Sequence, residues 1–396
     1  MDRKSNSLHF LLFCITFGIS VLIPQTINHD VKSFIFSKKE KERVITAAKS
    51  FLKEVPITIT SSTSPRTAGG KHDYFSEGDY WWPNPDSLKG PYIRKDGLTN
   101  PNNFVAHREA LRRFSIQVST LVAAYKLTGD KAFVKKALQH LYAWFVNEKT
   151  KMNPHLKYAQ AIKGISTGRG IGIIDTIHFV EIVQAIIVLE KAGLIGVEEL
   201  NAIKDWFTKY TDWLFNDQFG IDERDNGNNH STCWNMQVAQ YAKLIGDESK
   251  LAFCRNHFKN ELLPKQMASD GSFPLELKRT KPYGYSLFNL DAMAMVVQIL
   301  STSSDNLWNY QTEDGRNMKA AVEFMFPYIK DKMKWPYQKD VMYFDDWPVR
   351  QPSLLFAGIF YNEQKYLQLW EKLNPAPVGD EIIRNFFIRQ PILWIE

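Results

Sequence analysis

Apolar residues recur at helical spacing through most of this chain. Positions three and four residues apart form one hydrophobic stripe after another, whereas the strict alternation typical of strands is scarce. The pattern predicts an all-α protein. Its helices are expected roughly at 40–54, 106–127, 131–147, 175–192, 198–215, 232–245, 248–262, 287–301 and 316–330.

Two of the connections between these helices follow one plan. Gly129 and Gly246 can each adopt the left-handed conformation that ends a helix, and Asp130 and Asp247 can each cap the next one. Serial helical hairpins of this length close naturally into an (α/α) toroid or incomplete barrel, with long loops lining a cleft. No linker rich in Pro, Gly or Ser divides the chain, so residues 29–396 are predicted to form a single domain.

The N-terminus has the order of a secretory signal. Arg3 and Lys4 precede an apolar run over residues 8–23. We therefore expect residues 1–28 to be a signal peptide, or alternatively an N-terminal anchor, although the run is short for a bilayer span of about 20 residues. Export to the periplasm or the extracellular space is expected, with no stable membrane association after the signal is removed.

Composition and net charge indicate which kinds of partner suit the chain. Hydrophobic residues make up 44% and aromatic residues 13% of the chain, enough for a large core and for rings that line a cleft. Loss of residues 1–28 removes Asp2, Arg3 and Lys4, which leaves +5 of the formal +6 charge and suits a polyanion.

The sequence predicts no metal site and no cofactor. It contains no CxxC, no HExxH and no pair of histidines four residues apart. The glycine loop at 167–170 lacks both the Lys-Ser/Thr ending and the preceding strand of a phosphate-binding loop, so neither a nucleotide nor a nucleic acid is an expected partner. Outside the predicted signal, Cys233 and Cys254 are either a disulfide or two buried thiols.

Two polar loops run into helices and carry the candidate chemistry. Residues 225–234 place Asn229 and His230 at the mouth of a helix, with Ser231 as a plausible N-cap. Residues 276–291 form a second loop that is basic and aromatic. Helix entrances gather on one rim of a toroid, so the two loops are expected to converge on a single cleft.

These residue types match the requirements of β-elimination on a uronate. The C5 proton becomes acidic only when the adjacent carboxylate is neutralised. Asn229, His230 and Arg279 can supply that neutralisation. Tyr285 can take the C5 proton and protonate the departing O4 if flanking cations lower its phenol pKa from about 10, with His230 as an assisting or alternative base.

The two loops resemble the alginate lyase family of mannuronate-specific lyases and its glucuronan-cleaving relatives. The resemblance lies in Asn228-Asn229-His230 before an aromatic helix with Trp234, and in residues 276–279 followed by Tyr285 and an apolar helix with Leu290 and Met295. It extends in outline over residues 70–370. It implies an α/α toroid, no obligatory metal and an anionic polysaccharide substrate.

The same resemblance implies a role for each motif residue. Asn229 and Arg279 would neutralise the carboxylate, His230 would assist or act as base, and Tyr285 would be the catalytic tyrosine. Arg279 and Tyr285 are one residue closer than in the family pattern, and Tyr283 competes for the role. The apolar helix pattern aligned behind Tyr285 favours Tyr285. Mannuronate and glucuronate differ only at C2, so the sequence does not separate them.

Further residues near these loops are candidates for substrate binding. The irregular segment between Ser61 and Asn103 contains neighbouring aromatic residues, and long irregular segments in compact folds tend to be lids or binding loops. Aromatic residues beside prolines are also common packing anchors, and the cations could be solvated. The candidates are Tyr80, Trp81, Trp82, Arg169, Asn228, Lys278 and Tyr283.

Two other functions compete with the lyase. A glycoside hydrolase on a similar toroid would need paired carboxylates, such as Asp345 with Asp346 or Asp222 with Glu223. Adjacent acids along a chain usually point in different directions, which disfavours both pairs. A non-catalytic glycan-binding protein is the other alternative. A lyase differs from both because it makes a 4,5-unsaturated end that absorbs ultraviolet light.

Overall fold

The computed structural model describes residues 37–87 and 89–395, so the predicted signal segment lies outside the described residues. Helices dominate this part of the chain. They are α1 Lys38–Phe51, α2 Ala106–Thr128, α3 Lys131–Phe145, α4 Phe179–Lys191, α5 Val197–Asn216, α6 Gln218–Arg224, α7 Asn229–Ile245, α8 Glu248–His257, α9 Leu263–Gln266, α10 Pro274–Leu277, α11 Pro282–Leu300, α12 Met318–Lys330, α13 Pro352–Phe360, α14 Gln364–Lys372 and α15 Asp380–Asn385.

Short segments of other secondary structure connect these helices. One π-helical turn spans Phe258–Leu262, and 3₁₀ turns occur at Ile59–Ser61, Gly170–Thr176, Lys332–Lys334, Phe344–Asp346 and Pro391–Leu393. The strands are β1 Phe75–Glu77, β2 Trp81–Trp82, β3 Ile93–Arg94 and β4 Tyr158–Ala161. Strand β1 pairs in parallel with β4, and β2 pairs antiparallel with β3.

The predicted all-α class is confirmed, and the predicted helices are present with shifted ends. Helix α7 begins at Asn229 and α11 at Pro282, each earlier than its apolar periodicity suggests. Three helices near the C-terminus, α13, α14 and α15, were not predicted.

Five helices form an inner row in which each packs on the next. They are α2, α4, α7, α11 and α13, and the helices α3, α5, α8, α12 and α14 pack around them. Helix α11 is buried along almost its whole length, and so is α4. The outer helices instead bury one face, as their amphipathic patterns require.

The C-terminal segment closes this row. Lys126 on α2 donates to the Ile392 carbonyl at 2.8 Å, and Gln184 on α4 donates to the Leu393 carbonyl at 2.7 Å. The ring of Trp394 lies 6.4 Å from that of Phe356 on α13. An irregular segment therefore joins the last inner helix to the first two.

The predicted helix ends are mostly confirmed. Gly129 and Gly246 have φ values of 73° and 74°, and Asp130 and Asp247 cap the helices that follow. The N-cap predicted at Ser231 is wrong. Asn228 caps α7 through its side-chain oxygen, which accepts the His230 backbone N–H at 3.0 Å, so the helix starts earlier.

The two described cysteines are buried free thiols, because Cys233 and Cys254 form no disulfide. In the part of the chain that the structure covers, no single helix has the length and hydrophobicity needed to cross a bilayer. Residues Gly170–Thr176 and Phe179–Lys191 reach that hydrophobicity together, with a bend of 45° between them.

Candidate active site

The two polar loops meet, as predicted. Asn229 and His230 open α7, Arg279 lies in the turn between α10 and α11, and Tyr285 lies in the first turn of α11. All four side chains line one cavity of about 300 Å³. The segment around β2 forms another wall of this cavity, so helix entrances and a long irregular segment enclose it together.

Tyr285 is held between an arginine and a second tyrosine. Its hydroxyl is hydrogen-bonded to the Tyr80 hydroxyl at 2.6 Å, and Arg279 Nη2 donates to it at 3.3 Å. The Arg279 guanidinium also lies over the Tyr285 ring, 4.4 Å from its centroid. Arg279 is oriented in turn by Asp96, at 3.2 Å. The phenol oxygen is therefore placed beside a fixed positive charge.

Burial has the largest effect on the Tyr285 phenol. It raises the pKa of Tyr285, while Lys281 and Arg279 act to lower that pKa without outweighing the burial. The two cations act in the direction that the sequence suggested, but burial outweighs them. The phenol thus holds its proton near neutral pH in this form.

Lys281 is a buried cation that sequence reasoning treated as part of a basic loop. Its ammonium donates to Glu381 at 2.5 Å and lies 4.9 Å from the Tyr80 ring centroid and 5.5 Å from that of Tyr285. Glu381 comes from α15, far away in sequence. The C-terminal helix thereby fixes a charge against both tyrosines.

Two buried glutamates, Glu276 and Glu223, bind the side chains of Asn229 and His230. Glu276 accepts hydrogen bonds from the Asn229 backbone N–H at 2.8 Å and from its side-chain Nδ2 at 2.7 Å. Glu223 Oε1 lies 2.8 Å from His230 Nδ1. Sequence reasoning missed Glu276 and saw Glu223 only as half of a hydrolase pair. Neither has a sequence signal, because each contact depends on the folded chain.

The cavity has an excess of positive charge. Arg94, Arg169, Arg279 and Arg384 line it together with two carboxylates, Asp79 and Asp175. These carboxylates are already engaged, since Arg108 donates to Asp79 at 2.6 Å and also reaches Asp175, and Arg384 pairs with Asp79. The arrangement fits a chain of anionic sugars.

Four of the seven candidate binding residues line the cavity: Tyr80, Trp81, Arg169 and Asn228. Trp81 presents its ring near the Arg169 guanidinium, at 5.9 Å from the centroid. Arg169 is fixed by bonds to the Gln160 carbonyl at 2.9 Å and to the Gln160 side chain at 3.2 Å. Their role in binding stays a prediction, but they are in position for it.

The other three candidates lie outside the cavity lining, and their role in binding stays a prediction. Tyr283 is fully buried against Trp335, and its hydroxyl donates to the Tyr328 carbonyl at 3.0 Å. Lys278 is exposed. Trp82 donates its indole N–H to the Leu98 carbonyl at 2.9 Å and acts as a loop anchor.

The acid pairs that a hydrolase would need do not face each other. Asp345 and Asp346 are exposed on a turn outside the cavity lining. Asp222 is exposed, whereas Glu223 is buried against His230. Within residues 37–87 and 89–395, no group of three or more His, Cys, Asp or Glu side chains could hold a metal ion.

Comparisons with known proteins agree on one family. A family model described as alginate lyase matches residues 58–335. The chain is similar to the crystal structure of an alginate lyase from Bacteroides ovatus, with 31% identity, a TM-score of 0.78 and coverage of 93% of this chain and 98% of that chain.

Alginate lyase A1-III from Sphingomonas species A1 is similar at 16% identity, with a TM-score of 0.57 and coverage of 94% and 98%. A histidine-to-alanine variant of A1-III, complexed with a tetrasaccharide, is similar at 14% identity, with a TM-score of 0.57 and the same coverage. A search of curated proteins found no match. The similarity to solved structures confirms the predicted α/α toroid.

Proposed function

We propose that this chain, which belongs to the alginate lyase family, is a polysaccharide lyase that cleaves alginate or a related uronate polymer by β-elimination. One observation carries the proposal. The Tyr285 hydroxyl lies within hydrogen-bond distance of the Arg279 guanidinium, in a cavity that Asn229 and His230 also line.

Neutralisation of the substrate carboxylate is the first requirement of the reaction. Arg279 and His230 can each donate a hydrogen bond to that carboxylate, and Asn229 can donate the side-chain N–H that Glu276 does not use. Preorganised donors of this kind stabilise charge as it develops, because they need no reorganisation in the transition state. Negative charge develops at C5 as its proton leaves. It can then be delocalised into the attached carboxylate, because the charge of that carboxylate is already neutralised.

Proton transfer follows at the phenol. In the proposed reaction Tyr285 first loses its own proton to solvent, since the phenol is protonated near neutral pH. The C5–H bond then breaks and its proton goes to the ionised Tyr285 oxygen. The electron pair forms the C4–C5 double bond, the C4–O4 bond breaks, and Tyr285 returns a proton to O4. The ionised phenol is stabilised by Arg279 and Lys281, and burial favours the protonated phenol that donates to O4. One tyrosine acting on one sugar face suits mannuronate and glucuronate alike.

The additional arginines suit a polymer with one carboxylate per sugar. The cavity that holds the four proposed catalytic residues is also lined by Arg94, Arg169 and Arg384. Arginine binds carboxylates through two parallel hydrogen bonds, which fixes the orientation as well as the charge. We propose that these side chains hold the sugars that flank the cleaved bond.

A panel of polymers tests the function. The protein is incubated in parallel with poly-mannuronate, poly-guluronate, glucuronan and a neutral polysaccharide, and ultraviolet absorbance and reducing ends are both followed. A rise in absorbance with a uronate polymer, and none with the neutral one, is expected. New reducing ends without absorbance would indicate a hydrolase, and binding without either would indicate a glycan-binding protein.

Replacing Trp81 by alanine is expected to weaken substrate binding. The indole lines the cavity and lies near Arg169, so its loss removes a surface for a sugar ring and frees the guanidinium. We expect KM for the polymer to rise about tenfold, equivalent to about 1.4 kcal/mol. Initial rates over a range of polymer concentrations measure it. Trp82→Ala is the matched control, and an equal rise in both variants would contradict the role of Trp81.

We also propose that the protein is exported. The order of Arg3 and Lys4 before the apolar run at 8–23 supports this. N-terminal sequencing of the protein recovered after secretion tests it, since an intact residue 1 in the exported fraction would exclude signal cleavage.

A further inference from the structure

Glu223 is a buried acid whose side chain contacts His230. It lies in the last turn of α6 and is fully buried, and Oε1 lies 2.8 Å from His230 Nδ1. Its second oxygen, Oε2, is also buried and has no hydrogen-bond partner among the described residues. Burying a carboxylate in this way costs stability. Within the described residues, the Glu223 side chain neither caps a helix nor holds a loop in place, so no such contact offsets this cost.

We propose that Glu223 is a positioning residue, which holds His230 with its Nδ1 protonated so that Nε2 faces the substrate. This inference rests on the proposed function. The geometry supports it because a carboxylate oxygen 2.8 Å from Nδ1 accepts a hydrogen bond from a protonated Nδ1 and would repel the lone pair of an unprotonated one. The ring nitrogen opposite, Nε2, is left for the cavity that His230 lines.

The backbone of His230 is fixed as well. Its N–H donates to the Asn228 side chain at 3.0 Å, and the next residue towards the N-terminus, Asn229, is held twice by buried Glu276. Asn229 and His230, which would both face the sugar carboxylate, are therefore each held by a buried acid. Partners of this kind set the tautomer and the orientation of a functional histidine.

The charges around the pair come from several elements. Asp175, on the 3₁₀ turn at Gly170–Thr176, and Arg169 just before it act on Glu223 in opposite directions. Glu276 interacts with His230 from α10, and Arg279 faces the same cavity. Burial raises the pKa of Glu223, and His230 acts against that increase.

With Nδ1 bound to Glu223, Nε2 is the nitrogen of His230 that meets the substrate. A proton on Nε2 lets it donate a hydrogen bond to the sugar carboxylate, and an Nε2 without a proton can assist proton abstraction. In both cases the orientation of the ring is set by Glu223.

The substitution Glu223→Gln tests the positioning role, because it keeps an oxygen beside Nδ1 and removes the negative charge. We expect kcat to fall about 10- to 100-fold, the range found when the hydrogen-bond partner of a metal-bound histidine is removed, with KM changed less than kcat. An unchanged kcat, or a rise in KM as large as the fall in kcat, would overturn the proposal.

Asp222→Asn is the matched control. It removes the same charge from the neighbouring position of α6, but Asp222 is exposed and lies outside the cavity lining. Its kcat and KM are expected to equal those of the unmodified protein. An equal fall in kcat in both variants would show that Glu223 acts only through its charge at a distance, and would overturn the positioning role.

A second measurement does not depend on activity. Nitrogen-15 NMR of the histidines in the unmodified protein, assigned with His230→Gln, reports which ring nitrogen carries the proton. A protonated Nδ1 at His230 is expected. An unprotonated Nδ1 would overturn the inference even if the enzyme is active. Absence of elimination on every polymer would overturn the proposed function, and the NMR result would still decide this inference.

Discussion

Tyr285→Phe is expected to abolish most of the elimination while the polymer remains bound. The change deletes one oxygen, the atom that lies 2.6 Å from the Tyr80 hydroxyl and 3.3 Å from Arg279 Nη2. A positioned proton-transfer group contributes roughly 10²- to 10⁴-fold to a rate, so kcat should fall by about that factor. The ring itself stays under the Arg279 guanidinium, and KM should therefore change little.

Ultraviolet absorbance measures kcat, and binding to the uncut polymer is measured by calorimetry. Tyr283→Phe is the matched control, because it deletes the same atom two residues away on the same helix. That hydroxyl bonds to the Tyr328 carbonyl in the core, so the variant should lose about 0.5–1.5 kcal/mol of folding stability and keep its kcat. Turnover in Tyr285→Phe close to that of the unmodified protein would show that another group transfers the proton.

The choice between these two tyrosines shows what the sequence could and could not predict. Positions two apart on a helix point about 200° away from each other, so one of the pair was bound to be buried. The apolar periodicity behind them favoured Tyr285 but could not exclude Tyr283. In the folded chain Tyr283 is the buried member of the pair, because it packs against Trp335 and Phe344.

The basic loop shows a limit of reading charge along a chain. Lys278, Arg279 and Lys281 look alike in the sequence as a solvated basic run. In the folded chain Lys278 is exposed, Arg279 is half-buried against Tyr285, and Lys281 is buried against Glu381. The difference arises from partners far away in sequence, and no local pattern reports them.

The C-terminal part of the chain was the least predictable. Helix α13 is apolar on nearly all sides, so it has no stripe that marks a helix, and α14 and α15 are short. Yet α15 supplies Glu381, Arg384 and Asn385 to the site or its border. These residues lie beyond the part of the chain that matches the family model, which ends at residue 335.

Arg279→Ala is expected to have the second largest effect on the reaction. Arg279 is the cation that lies against the phenol, and in the proposed reaction it also neutralises the sugar carboxylate. Loss of one preorganised donor costs roughly 10²- to 10³-fold in rate, and we expect kcat/KM to fall by at least that factor. Arg279 also acts to lower the pKa of Tyr285. Its removal should therefore raise that pKa further and move the rising limb of the pH–rate profile to higher pH.

Two companion variants separate charge from geometry at this position. Arg279→Lys keeps the charge but loses the planar fork that binds a carboxylate with two hydrogen bonds, so it should recover only part of the rate. Lys278→Ala removes an exposed cation one residue away and should leave kcat/KM nearly unchanged, because an exposed charge is screened by salt. If Lys278→Ala and Arg279→Ala lowered the rate equally, the loop would act only through its overall charge. A rate in Arg279→Lys equal to that of the unmodified protein would show that the charge alone, without the guanidinium's orientation, neutralises the substrate.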